Sequence, residues 1–463
     1  MLVFEEVLSL SCWFLKKSSL SLLLVFEEVL SLSCWFLNNS SQVVNYTRRE
    51  GAMPESAALA LAEVAALLSN HARGDVVCQA AQLVEGLTGT KDGLDELVRG
   101  AELVVPPLVG TLVVAAAGGG GKGGGKTAAA AAAQVQAQEE AMREHLRRAG
   151  VSCAGALVNL SQRKEMVPML VQRGALAAAA RLLARREAPH AMQGRLVLLL
   201  TNLSQDDEAC RRLVGLGNDA LEQLARRFTD AVAGGSAGIG SDDDEDDQMA
   251  HLASVFASIT RTREGRRAVA HVDAPRKFVR FLRDGNLTRR RGVAAMLKNQ
   301  CFKDQDEDGT RDETTTTTTT QTEGNNSKDE SIEEEPATGN LEVSLDPISA
   351  VLDTELLRSL LRSLGAEKPM EAADEDEGVR VLLSDALLLI VQHPAGLDLL
   401  WKELDIAPKL QMCYQHEKDT EVCATYEHIA NIIIAAGEEK DGTGTGGADE
   451  DVVDVGMSPL TAG

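Results

Sequence analysis

Apolar residues recur along most of this chain at the three- and four-residue spacing of amphipathic helices, and polar or glycine-containing turns separate these runs. One kind of apolar run returns four times: GALVNLSQ around Asn159, LLLTNLSQ around Asn202, VFASITRT around Ser258 and GVAAMLKNQ around Asn299. The first three of these runs are each followed by a polar turn, a second helix, a Gly or Asp break and a third helix. This self-similarity predicts a stack of helical repeats.

The spacing of the four runs indicates the type of repeat. The intervals are 43, 56 and 41 residues, and the long interval contains the acidic run SDDDEDD at 241–247. Armadillo and HEAT repeats are about 40 to 47 residues long, and no such repeat can bury its apolar face without a neighbour. We therefore predict an all-α fold, an armadillo/HEAT-like right-handed α-solenoid with disordered insertions. Its function would depend on a long concave surface and not on a pocket.

Three low-complexity segments interrupt the helical pattern of residues 53–437, and they lie at 115–138, 233–247 and 304–340. The first is rich in Gly, Ala and Lys, the second is acidic, and the third contains seven consecutive Thr residues and a cluster of Glu. Such segments cannot offset the entropy lost on ordering. We expect them to be disordered, together with the acidic tail at 438–463.

The first 52 residues differ from the rest of the chain. Segment 2–19 returns at 24–41 with 16 of 18 positions identical, as a recent tandem duplication would produce. Glutamates interrupt the apolar stretches, so no uncharged run approaches the ~20 residues that a membrane span requires. We predict that residues 1–52 are a spurious or disordered extension, that Met53 is the authentic start, and that no membrane is a partner.

Composition, charge and cysteine spacing indicate the cellular compartment. The chain is 44% hydrophobic but only 3% aromatic, which favours packed helices, and its net charge is −24. Most of the acidic excess lies in the interruptions and the tail, so the remaining body is nearly neutral. The eight cysteines show no close pairs. We expect a reduced, cytoplasmic monomer without a disulfide framework or a zinc site.

One motif suggests nucleotide chemistry. Residues 120–127, GGKGGGKT, satisfy the P-loop pattern, in which Lys126 would contact the terminal phosphates and Thr127 would contact magnesium. The match lies in a run made almost entirely of Gly, Lys and Ala, and no alternation of strands and helices surrounds it. A P-loop nucleotide-binding protein therefore stays as an alternative. We predict no enzyme, no catalytic residue, no metal and no cofactor.

The strongest binding signal is a basic segment, residues 261–303, which holds 13 Arg or Lys residues against 3 acidic ones. Arg side chains form bidentate hydrogen bonds with carboxylates and phosphates, so the segment would attract an acidic protein surface or a nucleic acid. Ordinary solvated helix faces, or pairing with the chain's own acidic loops, would also explain these charges. The nearby aromatic residues fit a core better than a base-stacking platform, so we favour a protein partner. The candidate partner-binding residues are Arg280, Arg283, Arg289, Arg290, Arg291 and Lys298.

Three asparagines complete the candidate site. Asn159, Asn202 and Asn299 occupy a position similar to that of the asparagine ladder with which peptide-binding armadillo proteins hold an extended peptide. Those proteins carry Trp four residues earlier. Here the residues four positions earlier are Gly155, Leu198 and Ala295. Two interpretations stay open: the asparagines bind a partner, or they satisfy backbone groups inside the solenoid.

Several stretches together resemble one eukaryotic family. They are the N-L-S repeats, RRRGVAAMLKNQCF at 289–302, LDP at 345–347 and VRVLLSDALLLIVQHPAGLDLLWKELDIAPKL at 379–410. These stretches are similar to the HGH-one homologue family, also called the brain-protein-sixteen-like family, over about residues 55–437. The insertions and the duplicated N-terminus are departures from it.

The resemblance implies an armadillo-like cytosolic chaperone adaptor without catalytic residues. Such an adaptor binds newly made translation elongation factor two and presents it to the cytosolic chaperonin. A nucleic-acid-binding solenoid that uses the basic segment is the alternative from another class.

Overall fold

The computed structural model describes residues 55–117, 129–186, 188–233, 248–303, 347–366 and 373–442. All regular structure in these ranges is helical, and the prediction of an all-α, armadillo-like solenoid is confirmed. The chain divides into two compact units, Met1–Ala350 and Val351–Gly463.

The described part of the first unit contains fourteen α-helices and four short 3₁₀ helices. The α-helices are α1 (Glu55–Ser69), α2 (Gly74–Thr88), α3 (Lys91–Arg99), α4 (Ala101–Ala117), α5 (Ala129–Ser161), α6 (Val167–Gln172), α7 (Ala175–Ala184), α8 (His190–Leu203), α9 (Asp207–Val214), α10 (Asn218–Ala233), α11 (Leu252–Ile259), α12 (Arg263–His271), α13 (Ala274–Phe278) and α14 (Leu287–Gln300). The 3₁₀ helices are Lys164–Met166, Gln248–His251, Val279–Arg283 and Pro347–Ala350.

In the structure we count each repeat from the short helix that follows a recurring run. Each repeat then has a short first helix, a second helix and a third helix, and the third helix contains the next run. We name the third helices ladder helices, because they carry the recurring Asn position near their ends; they are α2, α5, α8, α11 and α14. Each ladder helix packs against the next one along the chain. The second helices, α1, α4, α7, α10 and α13, do the same. Two rows of stacked helices therefore enclose the core, as expected for a solenoid.

The turns after α2, α8 and α11 share a local pattern that joins one repeat to the next. Four residues after the Asn position, the side chain of Thr90, Asp206 or Thr262 accepts a hydrogen bond from a backbone N–H in the following first helix. These N-caps satisfy donors that would otherwise have no partner. Three residues beyond the cap, Gly93 and Gly265 lie against carbonyl groups of the preceding ladder helix, where a Cβ would collide.

The predicted boundary at residue 115 is wrong, and so is part of the predicted interruption at 115–138. Helix α4 continues to Ala117, with Ala115 and Ala116 buried, and α5 already begins at Ala129. Alanine has the highest helix propensity, so an Ala-rich segment extends a neighbouring helix as readily as it forms a loop. The rest of this interruption lies outside the described residues, as do 304–340 and residues 1–52.

Residues 55–117 form four helices, because Gly100 separates α3 from α4. Pro106 and Pro107 lie inside α4. Buried Val104, Val105 and Leu108 surround them, so apolar burial outweighs the cost of proline in this helix.

Two further helices end near the predicted boundaries at residues 233 and 438. The last described helix continues to Gly442, five residues into the predicted tail. Helix α10 ends at Ala233, the first residue of the second predicted interruption, and 234–247 lie outside the described residues.

Close contact between α11 and α14 depends on Gly292. A Cβ at this position would lie 2.7 Å from the carbonyl carbon of Ala253 and 2.9 Å from the backbone nitrogen of Ser254. Backbone atoms of a packed helix cannot move aside as a flexible side chain can. The ladder-to-ladder distance at this step is therefore limited to what glycine allows.

The second unit is built in the same style. Its α-helices in the described residues are α15 (Thr354–Ser363), α16 (Glu377–Val391), α17 (Pro394–Leu404), α18 (Ile406–His416) and α19 (Thr420–Gly442), and α16 packs against α19. Arg380 in α16 forms two hydrogen bonds with Glu417, at 2.9 and 3.0 Å, and both side chains are largely buried.

The Glu417 carboxylate has further partners that affect its protonation. Burial opposes its ionisation, but the Arg380 hydrogen bonds and the backbone N–H groups of Asp419 and Lys418 outweigh burial and hold the pKa of Glu417 below its usual range. This carboxylate ties α16 to the turn between α18 and α19.

We expect Gly292→Ala to lower the free energy of unfolding by about 1–3 kcal/mol, because the added methyl group overpacks the contact between α11 and α14. Gly285→Ala is the matched control, since a Cβ there meets no atom within 4 Å; its effect should stay within about 0.5 kcal/mol. Urea unfolding followed by far-UV circular dichroism measures both. Equal stabilities of the two variants would contradict the close contact.

The second prediction concerns pH. The pKa of Glu417 is lower in the folded state, so its contribution to stability is complete above the unfolded pKa of about 4.3 and disappears as the pH falls through the folded pKa. Glu417→Gln should therefore be less stable than the wild type at pH ~7, and the difference should narrow in acid. Unfolding curves across this pH range test the sign, and a difference that is constant with pH would refute it.

Candidate protein-binding surface

The three candidate asparagines form hydrogen bonds between successive repeats. The Nδ2 atom of Asn159 donates to Thr88 Oγ1, and that of Asn202 donates to Ser161 Oγ, each at 2.9 Å. Asn299 Nδ2 donates to the Ala257 carbonyl oxygen, also at 2.9 Å. Each amide thus reaches the end of the preceding ladder helix.

Hydrogen bonds of the two hydroxyl groups show which atom is the donor in the Asn159 and Asn202 contacts. Thr88 Oγ1 donates its own proton to the Glu85 carbonyl, and Ser161 Oγ donates to the Val158 carbonyl, so both hydroxyl oxygens must act as acceptors for the asparagines. One N–H group of each amide is therefore engaged inside the solenoid. Of the two interpretations left open by the sequence, this geometry favours the internal one.

A second inter-repeat contact crosses the same face. Arg195 of α8 forms an ion pair with Glu85 of α2 and donates at 2.9 Å to the Val151 carbonyl of α5. This contact passes over Gly155, where any Cβ would collide with both charged side chains. Gly155 occupies the position of the groove Trp in peptide-binding armadillo proteins. Here the missing side chain makes room for a bridge that joins three consecutive repeats.

The basic segment 261–303 does not form one continuous exposed surface. Arg289 is only 3% exposed and pairs with Asp284 at 2.8 Å. Its guanidinium also lies over the rings of Phe228 and Phe281, at 5.6 and 5.8 Å. Arg289 was predicted to bind a partner, and this prediction is wrong, because the side chain is enclosed in the core of its repeat.

Other basic side chains of the segment hold turns together. Arg290 donates to the carbonyl oxygens of Asp284 and Gly285, Lys277 donates to that of Val272, and Arg266 is buried near the carbonyls of residues 260 and 261. Arg261 reaches back to the previous repeat, to the Ser204 and Gln205 carbonyls and to Asp207. Much of the local positive charge therefore stabilises the fold.

The exposed members of the candidate set surround the turn before α14. Arg280 and Arg283, on the 3₁₀ helix Val279–Arg283, are exposed, and the Arg280 guanidinium lies 4.7 Å from the centre of the Phe281 ring. This 3₁₀ helix packs against α14, which carries exposed Arg291 and half-buried Lys298. The structure thus brings together the candidates of residues 280–298, whereas Asn159 and Asn202 lie in earlier repeats.

Sequence reasoning missed two exposed apolar residues near the two ends of α14. Leu287 is 37% exposed and Phe302, just beyond the helix, is 42% exposed. At 100° per residue, Leu287, Arg291 and Lys298 fall within an arc of about 40°. A helical wheel of residues 287–302 would have shown this arrangement. We name this surface the α14 face and define it by Leu287, Arg291, Lys298 and Phe302.

Other candidate chemistry gives no competing site in the described residues. They contain no group of three His, Cys, Asp or Glu side chains that could hold a metal ion. The P-loop match at 120–127 lies outside them. Burial raises the pKa of the Cys210 thiol to about 11 and that of Cys413 to about 12, which disfavours the reactive thiolate.

Within the ranges that the structure covers, no single helix is long and apolar enough to cross a bilayer. Three sharply bent helix pairs have sufficient length and apolar composition when their two helices are taken together.

Comparisons with known proteins concern part of the chain or its general architecture. Residues 152–316, about a third of the chain, match a family model described as a domain of unknown function (DUF383). The match extends from the Asn159 ladder position past the α14 face, and this part of the chain is similar to that family. No curated protein matches. The resemblance to the HGH-one homologue family stays a prediction.

Among solved structures, designed armadillo repeat proteins are similar to the chain. One designed protein is 15% identical and covers 71% of this chain and 99% of its own, with a TM-score of 0.43. Another, solved in complex with the peptide (KR)4, is 14% identical with the same coverage and a TM-score of 0.44. The assignment of the fold here rests on the helix rows themselves.

The asparagine geometry makes a direct prediction. Asn202→Ala removes the hydrogen bond to Ser161, and we expect the free energy of unfolding to fall by about 0.5–1.5 kcal/mol, without loss of partner binding. Gln205→Ala, an exposed position three residues on, should have no measurable effect on stability. Unfolding curves measure the stability of both variants, and a binding assay measures their affinity for the partner. Weaker binding at unchanged stability would instead support a peptide ladder.

Proposed function

We propose that this protein is a non-catalytic, protein-binding scaffold that contacts an acidic partner surface through the α14 face. The observation that carries the proposal is the exposure of two apolar and two basic side chains along one ladder helix and just beyond its end. Apolar surface that is exposed beside polar groups is typical of protein interaction sites. Apolar contacts supply affinity there, and the charges select the partner.

The electrostatic environment supports an acidic partner. Residues 261–303 carry 13 basic and 3 acidic side chains, and even those that stabilise turns contribute to the local field. Arg280 and Arg283 extend the positive surface beside the α14 face. An acidic segment with one or two apolar side chains is the complementary ligand.

A protein partner fits this surface better than a nucleic acid does. Single-stranded nucleic acids are usually held by several exposed aromatic rings as well as by positive charge. In residues 261–303, Phe302 is exposed, whereas Phe278 and Phe281 are buried.

The finer proposal names the partner by resemblance. Similarity to the HGH-one homologue family suggests a cytoplasmic adaptor that binds newly made elongation factor two and presents it to the cytosolic chaperonin. The ordered ladder helices and the surface that mixes charged and apolar groups are compatible with such a role. Residues 292–302, one of the stretches most similar to that family together with the final helices, form most of α14 and include Lys298 and Phe302 of the α14 face.

The test reverses the two basic charges of the α14 face. The double variant Arg291→Glu, Lys298→Glu should lower the recovery of elongation factor two and chaperonin subunits by at least about tenfold, because it places acidic groups against an acidic partner. The tagged full chain is expressed in a eukaryotic lysate, and the proteins that co-purify with it are quantified by mass spectrometry. Arg289 is left unchanged, because reversal of that buried charge would unfold the repeat.

The matched control reverses the same number of charges in the second unit, as Arg358→Glu, Lys402→Glu, and should leave recovery unchanged. Circular dichroism must show the same helicity for all variants. Equal recovery with the α14 variant and the wild type would refute the α14 face as the binding surface. Recovery of ribosomal RNA that weakens steeply with salt would favour the nucleic-acid alternative.

A further inference from the structure

A second positively charged site uses none of the residues that define the α14 face. A cleft with a volume of about 410 Å³ opens between two successive repeats of the first unit. Its walls come from the end of α7, the start of α8, the end of α10 and the 3₁₀ helix Gln248–His251. Its polar lining residues are Arg186, His190, Gln193, Arg227, Asp230 and Gln248.

The charges in this cleft do not balance. Arg186 forms an ion pair with Asp230. Arg227 instead donates at 2.6 Å to the neutral oxygen Oε1 of Gln193, and within the described ranges its buried Nε atom has no hydrogen-bond partner. Burial, followed by repulsion from Arg186, lowers the pKa of the Arg227 guanidinium, although Asp230 opposes this effect. Among the residues that the structure describes, this half-buried cation therefore has no carboxylate hydrogen-bonded to it.

Amide groups complete the walls. The Gln248 side chain lies directly over Gly194, where any Cβ would overlap with it, so glycine at residue 194 lets this amide reach the cleft. Gln193 already contacts Arg227. Because Gln193 Nε2 already donates to the Ala188 carbonyl oxygen, the Arg227 guanidinium is the donor that a carboxylate, which accepts several hydrogen bonds at once, would use here.

We propose that this cleft binds a carboxylate side chain from an acidic segment of a protein partner, with Arg227 as the principal ligand. The net charge of Arg186, Asp230 and Arg227 is one positive unit, which matches a single carboxylate. This inference deepens the proposed function, since it assumes a protein partner, but it depends on residues that the α14 face does not use.

The sequence contains a signal for this site. The tetrapeptide Leu-Ala-Arg-Arg ends the second helix at 183–186 and returns at 224–227, and its last Arg lines the cleft in both cases. The preceding residues, Arg185 and Arg226, do not line it. A repeat-by-repeat alignment therefore separates the cleft arginines from their neighbours.

The experiment measures binding of one defined probe to the full chain. The probe is a fluorescein-labelled peptide of alternating glycine and glutamate with an amidated C-terminus, and fluorescence anisotropy reports its affinity. Arg227→Gln should weaken binding about tenfold, as expected when a charged hydrogen bond is lost. Arg226→Gln, with the same change of charge on an exposed side chain paired with Glu222, should change it less than twofold. Equal losses in the two variants would show non-specific attraction and overturn the proposal.

The chain's own acidic run at 242–247 ends next to Gln248 and is the main rival occupant. A variant with these six residues changed to Asn or Gln separates the two cases. Unchanged peptide affinity in this variant supports a partner's carboxylate in the cleft. A rise of tenfold or more, abolished by Arg227→Gln, would assign the cleft to the chain's own segment and overturn the proposal.

The α14 variant Arg291→Glu, Lys298→Glu distinguishes failure of this inference from failure of the proposed function. It should keep peptide binding in the cleft within about twofold, because the two sites lie on different repeats. Loss of elongation factor two without loss of the peptide supports both sites. Peptide binding that is insensitive to Arg227→Gln overturns the cleft alone and leaves the α14 face intact.

Discussion

The first unit depends on the contact between one ladder helix and the next. A single repeat has two long helices and one short one, too few to enclose its own apolar residues, so neighbouring repeats must supply the other side of the core. Contacts at this step are close: Gly292 lies against the backbone of α11, and buried Phe256 and Phe278 have ring centres 5.0 Å apart. Spacing and alignment of the ladder helices are therefore tightly limited.

Because the spacing of the ladder helices is limited, polar side chains form hydrogen bonds between neighbouring ladder helices at fixed positions. Asn159 and Asn202 hold the ends of adjacent ladder helices at a fixed offset through a single hydrogen bond each. Arg195 and Glu85 do the same across two steps, which is possible because Gly155 adds no side chain between them. Polar bonds of this kind add modest stability, but they select one register among several that apolar contacts alone would permit.

Sequence periodicity predicted the helical repeats and the positions of the ladder helices, because amphipathic spacing is a local property. The environment of each arginine could not be predicted in the same way. Arg289 and Arg291 are two residues apart in the same basic run, yet one is buried against Asp284 and the other is exposed. A helical wheel places them on different sides of α14, but the burial of Arg289 depends on Phe228, which is distant in the sequence.

The same reasoning explains why both proposed binding sites lie where they do. Stacking consumes the surfaces between ladder helices and between second helices, so side chains there cannot vary without loss of stability. The uncovered arc of each ladder helix and the exposed side chains near the turns between second and ladder helices are not part of this stacking. Arg186 lies in the turn between α7 and α8, Arg227 lies inside α10, and Arg280 and Arg283 lie just before α14. In a solenoid, positive charge at these boundaries can be added repeat by repeat, and a partner that contacts several of them gains affinity from each.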